Sequence, residues 1–115
     1  MKKSVFKVDK FKKARGGYSR LLDIRCAKCD AHVCFYQKDG PGILKRMYID
    51  RMLSPEKYQK YSKLSVKNIP QLTCHNCNEH LGVPMVYKKE TRLAYGLFVG
   101  SVKKEISKVS DLAQQ

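Results

Sequence analysis

Few carboxylates and no long apolar run are the first features of this chain. Its 115 residues hold 24 Lys+Arg against 10 Asp+Glu, a formal net charge of +14. An excess of one sign says little about fold and much about partners, because it raises the local potential towards polyanions. RNA, DNA and anionic membrane are the candidate classes. No stretch approaches the roughly 20 apolar residues of a membrane-spanning helix. Met1-Lys2-Lys3 could open an export signal, but "SVFKVDKFKK" interrupts any apolar run with charge. The expectation is a soluble, cytoplasmic protein with no membrane partner. Five cysteines in a reducing compartment favour a metal over disulfides. A core this small also gains from a structural metal.

What is present is a repeat. Residues 25–34 read "RCAKCDAHVC" and residues 73–82 read "TCHNCNEHLG". Cys26, Cys29, Asp30, His32 and Val33 match Cys74, Cys77, Asn78, His80 and Leu81, each 48 positions further on. Two C-x-x-C pairs supply the four thiolates of a tetrahedral zinc site. The spacing curls the backbone so that both sulfurs face one ion. The residue after the second cysteine must then tolerate a left-handed backbone, and Asp30 and Asn78 do so after glycine. The expected ligands of one structural Zn2+ are Cys26, Cys29, Cys74 and Cys77.

The competing use of C-x-x-C is redox chemistry, which expects a strand–helix setting within a βαβ pattern that is absent here. Cys34 reads as a small buried hydrophobe; its alternatives are a substitute ligand or a reactive thiol. His32 and His80 share a place in the repeat, so a shared supporting role beside the knuckles is expected, ahead of direct ligation. Between the pairs lie 44 residues, too many for one hairpin. The zinc should therefore clamp two distant hairpins together.

Along the chain, "RLLDIRC" and "HVCFYQ" read as strands around the first pair, with "KDGPG" a turn. "ILKRMYIDRML" suits a strand. "SPEKYQKYSKL" is the one helical candidate, with Ser54 at the N-cap and Pro55 at the first position. Its Tyr58, Tyr61 and Leu64 form a narrow apolar stripe. Pro70 argues against a central strand before the second pair. "VPMVYKK" and "RLAYGLFVGSV" read as two strands, with Gly96 and Gly100 as bulges or close approaches. The fold class is mainly β with one short helix, a zinc-stapled β-tent-like or expanded zinc-ribbon single domain. Residues 1–19 read as a basic arm, free to move or dock in part. Residues 20–109 form the zinc-binding domain, and 110–115 a fraying tail.

Two knuckles about fifty residues apart, with Leu81-Gly82 after the second and the strand-like "VYKKETRLAYGLFV" next, resemble the β-tent group. Yippee-like proteins and the thalidomide-binding domain of cereblon belong to it. The resemblance implies a zinc-clamped sheet scaffold over about residues 20–106. The cereblon-like branch cages its ligand with tryptophans, and this chain has none, so the scaffold is implied and the small-molecule pocket is not. Zinc-bearing methionine-sulfoxide reductases share the architecture but need a late nucleophilic cysteine, and no cysteine follows Cys77. The H-x-E partner of zinc deaminases is likewise missing. The expectation is that the protein is not an enzyme.

The charges then direct the functional reading. Lys2, Lys3, Lys7, Lys10, Lys12, Lys13, Arg15 and Arg20 crowd the first twenty residues, and Lys45, Arg46 and Arg51 follow. Cations neutralise phosphates, while interleaved aromatics stack on unpaired bases. These residues are the expected contacts to RNA, with ribosomal RNA among the candidates. A protein-interaction adaptor of the yippee-like kind, using a sheet face around Met85, Tyr87 and Tyr95, is the alternative. Sequence-specific DNA readout is not expected, because the short lone helix does not suit a recognition helix.

Overall fold

In the computed structural model, which describes residues 6–108 and Asp111, the strands come in two hairpin-based sheets. Helix α1 (Lys10–Ala14) precedes β1 (Ser19–Cys26) and β2 (His32–Asp39). Then come β3 (Arg46–Tyr48), β4 (Met52–Ser54), α2 (Lys57–Tyr61) and β5 (Leu72–Thr73). Strands β6 (His80–Tyr87), β7 (Arg92–Leu97) and β8 (Val102–Ser107) complete the order. The first sheet runs β4-β2-β1-β8 and the second β3-β7-β6-β5. All pairings are antiparallel. The mainly β expectation holds, with two short helices where one was read.

Burial explains the arrangement. β2 is buried from Val33 through Gln37, as a strand covered on both faces must be. Leu22, Ile24 and Tyr36 of the first sheet join one cluster with Met47, Leu81 and Tyr95 of the second. Tyr58 closes it from α2, edge-on to Tyr95 with ring centroids 6.5 Å apart. At roughly 1.5–3 kcal/mol per fully buried large apolar side chain, this cluster is the main stabilising contribution. Two glycines set how closely β6 and β7 pack. A Cβ on Gly82 would stand 2.7 Å from the Gly96 carbonyl oxygen, so the position directly after Leu81 admits no side chain.

Several local readings change. "ILKRMYIDRML" is not one strand: β3 and β4 flank a single 3-10 turn at Ile49–Arg51, where buried Arg51 must turn towards its carboxylate partners. Ser54 is the last residue of β4, and α2 is preceded by Glu56. The run 92–102 is cut at Gly100, whose φ of 74° turns the chain into β8. Pro70 lies outside the strands, as its missing N–H requires. Pro84 does sit inside β6, but β5 pairs only with Gly82 and His80. Among the described residues no strand pairs with that flank of Pro84, so no ladder hydrogen bond is lost there.

From Phe6 onward the expected arm is docked. Asp9 caps α1, accepting from the N–H groups of Phe11 and Lys12, and the same carboxylate receives Arg51 Nη2 at 2.6 Å. Gln37 exchanges hydrogen bonds with the backbone of Lys7. Lys2 and Lys3 lie outside the described residues.

Candidate metal centre

The 48-residue repeat is a repeat of geometry. In the first knuckle the N–H of Asp30 donates to the Cys26 carbonyl at 2.8 Å, and that of Cys26 to the Ala31 carbonyl at 2.9 Å. In the second, Asn78 donates to Cys74 and Cys74 to Glu79, both at 2.9 Å. Asp30 and Asn78 have φ of 68° and 63°, the left-handed turn that their side chains tolerate. Even the irregularity recurs. β1 and β2 pair Ile24 with Cys34 and Arg25 with His32 across a bulge. β5 and β6 pair Leu72 with Gly82 and Thr73 with His80 in the same way.

The two knuckles bring their sulfurs together from different sheets. Cys26 Sγ lies 3.7 Å from Cys77 Sγ, and Cys29 Sγ 3.5 Å from Cys74 Sγ. All four ligand atoms fall within 4.8 Å of one another. A tetrahedron with metal–sulfur bonds of about 2.3 Å has edges of about 3.8 Å, so the four cysteines are placed to hold one metal ion. Cys26 and Cys74 are buried, Cys29 and Cys77 half-buried.

Electrostatics favour a cation there. Asn76 beside Cys29, with the Ala31 N–H, brings that thiol down to about 6. The Glu79 N–H favours the Cys77 thiolate, yet burial and the three other sulfurs push Cys77 up to about 12. Four thiolates this close repel one another, and a divalent ion among them is what lets all four ionise. Soft thiolate donors in a tetrahedral set suit zinc.

The histidines and the fifth cysteine take supporting places. His32 Nδ1 donates to Asp23 at 2.6 Å, its ring beside Phe35, so its polar contact is a carboxylate and not a thiolate. His80 is exposed. His75, by its place inside the second C-x-x-C pair a competing ligand with His32 and His80, instead donates from Nε2 to the His32 carbonyl at 3.0 Å and ties one knuckle to the other hairpin. Cys34 is wholly buried in the core, and burial pushes its thiol up, so it packs as a small apolar side chain.

The cations expected to meet RNA divide. Lys10, Lys13, Arg20 and Lys45 are exposed, and Lys7, Lys12, Arg15 and Arg46 half-exposed. Lys7 Nζ donates to Gln59 at 2.8 Å. Arg15 is engaged by Glu90, at 2.6 Å from Nη2, and by Tyr48. Arg51 is the correction. It is 0 % exposed, and its guanidinium meets Asp39, Asp9 and Asp50, so it presents no charge to a phosphate. Arg92 is also buried, its guanidinium 4.0 Å from the Phe11 ring centroid and 3.7 Å from that of Tyr48.

No family model, no curated protein and no solved structure matches this chain. The likeness to yippee-like domains is carried by the cysteines and Leu81-Gly82 alone.

Proposed function

We propose that this protein is a non-enzymatic, zinc-stapled RNA-binding module of the cytoplasm, with ribosomal RNA among its candidate targets. The carrying observation is where the carboxylates went. Asp9, Asp39, Asp50 and Glu90 are drawn into ion pairs with Arg15, Arg51 and Arg92. Exposed Lys10, Lys13, Lys60, Lys63, Lys88 and Lys89 form no ion pair among the described residues. The outer surface therefore keeps a positive field with few internal counter-charges, which suits a polyphosphate. Four protein thiolates fill a tetrahedral zinc and leave no position for a reacting water, which supports a structural role for the metal. The test is binding of zinc-loaded protein to single-stranded RNA, duplex DNA and a neutral polymer across salt. Tight RNA binding with a steep negative salt slope is expected. Binding no better than to the neutral polymer at moderate salt would sink the reading.

One observation favours a second reading, a protein-interaction adaptor. Tyr95 is buried, so of the face first expected only Met85 and Tyr87 keep partial exposure. Ile43, Phe98 and Val99 instead stand exposed around an apolar cleft of about 450 Å³. Under this reading, Phe98→Lys/Val99→Lys abolishes a protein association that survives nuclease treatment, and leaves RNA affinity no lower.

A further inference from the structure

Away from the cysteines, unpaired cations converge at the other end of β2. The Gly40-Pro41-Gly42 turn stands between two neighbouring clefts that share Lys38 and Pro41 as walls. One, of about 280 Å³, is lined by Tyr18, Arg20 and Lys104 among others. The other, of about 200 Å³, adds Lys45 and Arg46. The sheet makes the convergence. Arg20 on β1 is directly opposite Lys38 on β2, so both side chains share a face, and β8 brings Lys104 along the other side of β1.

No ion pair reaches Arg20, Lys38, Lys45, Arg46 or Lys104 from the described residues. Lys38 is half-buried, with Nζ donating to the Gly40 carbonyl at 2.9 Å. Burial first, then Lys104, Arg20 and Arg15, lower its pKa, and only Asp39 opposes them. That carboxylate already receives Arg51. Like charges held this way repel until an anion enters. The turn beside them has a fixed shape. Gly40 has φ of 71°, and a Cβ there would meet the Arg15 carbonyl oxygen at 2.4 Å. At the rim Tyr18 is 43 % exposed, with the Arg20 guanidinium 6.0 Å from its ring centroid.

We propose that this cleft seats one nucleotide of single-stranded RNA, its phosphate among Lys38, Arg20 and Lys104 and its base against Tyr18. The assignment rests on the RNA-binding reading and sharpens it. Cations alone would accept any polyanion. An exposed aromatic face beside them selects a strand whose bases are unstacked, because a duplex keeps its bases covered. A free nucleotide offers the same phosphate and base, so the test separates it from a polymer.

The experiment measures anisotropy of a short labelled single-stranded RNA with the zinc-loaded full chain. It compares Arg20→Gln/Lys38→Gln/Lys104→Gln with the equally charged control Lys60→Gln/Lys63→Gln/Lys67→Gln. The cleft variant should lose at least about tenfold more affinity than the control. Its salt slope should fall by about 2, from three phosphate-facing charges at roughly 0.7 each. Tyr18→Ala should weaken binding several-fold or more, and Tyr18→Phe should leave it near wild type. Lys104→Glu alone, on an exposed strand, serves if the triple variant does not fold, and should weaken RNA binding in the same direction. Equal losses in both triple variants would overturn the cleft while RNA binding stands. AMP or inorganic phosphate binding as tightly as the RNA would reassign the cleft to a small phosphorylated ligand. An RNA that fails to bind wild type at low salt would end both proposals.

Discussion

Arg51 reaches Asp9 at 2.6 Å across 42 residues of chain, and this contact ties the N-terminal helix to the core. The same guanidinium holds Asp39 at the end of β2. Asp50 carries the network on to Arg92, and Glu90 from Arg92 to Arg15. The cysteines sit at the turns that begin β2 and β6. This network lies at the opposite ends of those strands, so the two sheets are fastened at both extremities.

Breaking the buried end should be costly. Arg51→Ala leaves the Asp39 carboxylate uncompensated in the core, and a loss of about 3–5 kcal/mol is expected. Urea unfolding of the zinc-loaded protein measures it, with exposed Lys60→Ala as a control expected to stay within about 0.5 kcal/mol.

Acid should loosen the same end. Burial opposes ionisation of Asp9 and Asp39, but Arg51 together with hydrogen bonds from Lys12, Phe11, Ser19 and Gln37 holds both below the usual carboxylate range. The Arg15 guanidinium does the same for Glu90. Groups depressed by folding add stability that is complete above their unfolded pKa values, near 4, and is lost as pH falls through the folded ones. Thermal midpoints should be flat in this respect above about pH 5 and fall below about pH 4. In Asp39→Asn the acid-dependent part of that fall should be smaller.

Metal removal should release the opposite end. One zinc per chain is expected, and chelation should cause cooperative loss of tertiary structure, because binding free energy is folding free energy at such a site. Cys74→Ser should lower zinc content and weaken affinity. Cys34→Ser should keep one zinc per chain while losing about 1–3 kcal/mol to a buried hydroxyl. Zinc loss in the Cys34 variant would show that the fifth cysteine is a ligand.

Gly82→Ala tests the close approach of β6 and β7. Its Cβ meets backbone and not a flexible side chain, so relief requires the strands to part, at about 1–3 kcal/mol. Equilibrium unfolding reads the effect, and a stability unchanged from wild type would contradict the packing described.

The metal centre was legible because its determinants are local: a spacing, a left-handed residue and a following histidine recur within ten residues. The bulges that complete the repeat were not, since they exist only in the pairing of two strands. Arg51 was illegible for a related reason. In a chain this basic it looks like any surface cation, and only carboxylates brought from far along the chain, Asp9 and Asp39, remove it from the surface. Tyr58 could be read towards the core because its neighbours lie on its own helix turn. The Lys38 cleft is not legible in the sequence, because "KDGPG" reads only as a turn and its partner Lys104 arrives from β8.

The order of strands also governs how this chain is made. β1 lies between β2 and β8, a strand made long after it, while β3 must wait for β7. Cys26 and Cys29 emerge long before Cys74 and Cys77, and at translation rates of about 5–20 residues per second the first pair spends seconds without the second. Neither sheet can finish as an early, self-contained piece. Both sheets close only once strands that follow the second knuckle are made, and until then the first pair of thiols lacks its partner ligands.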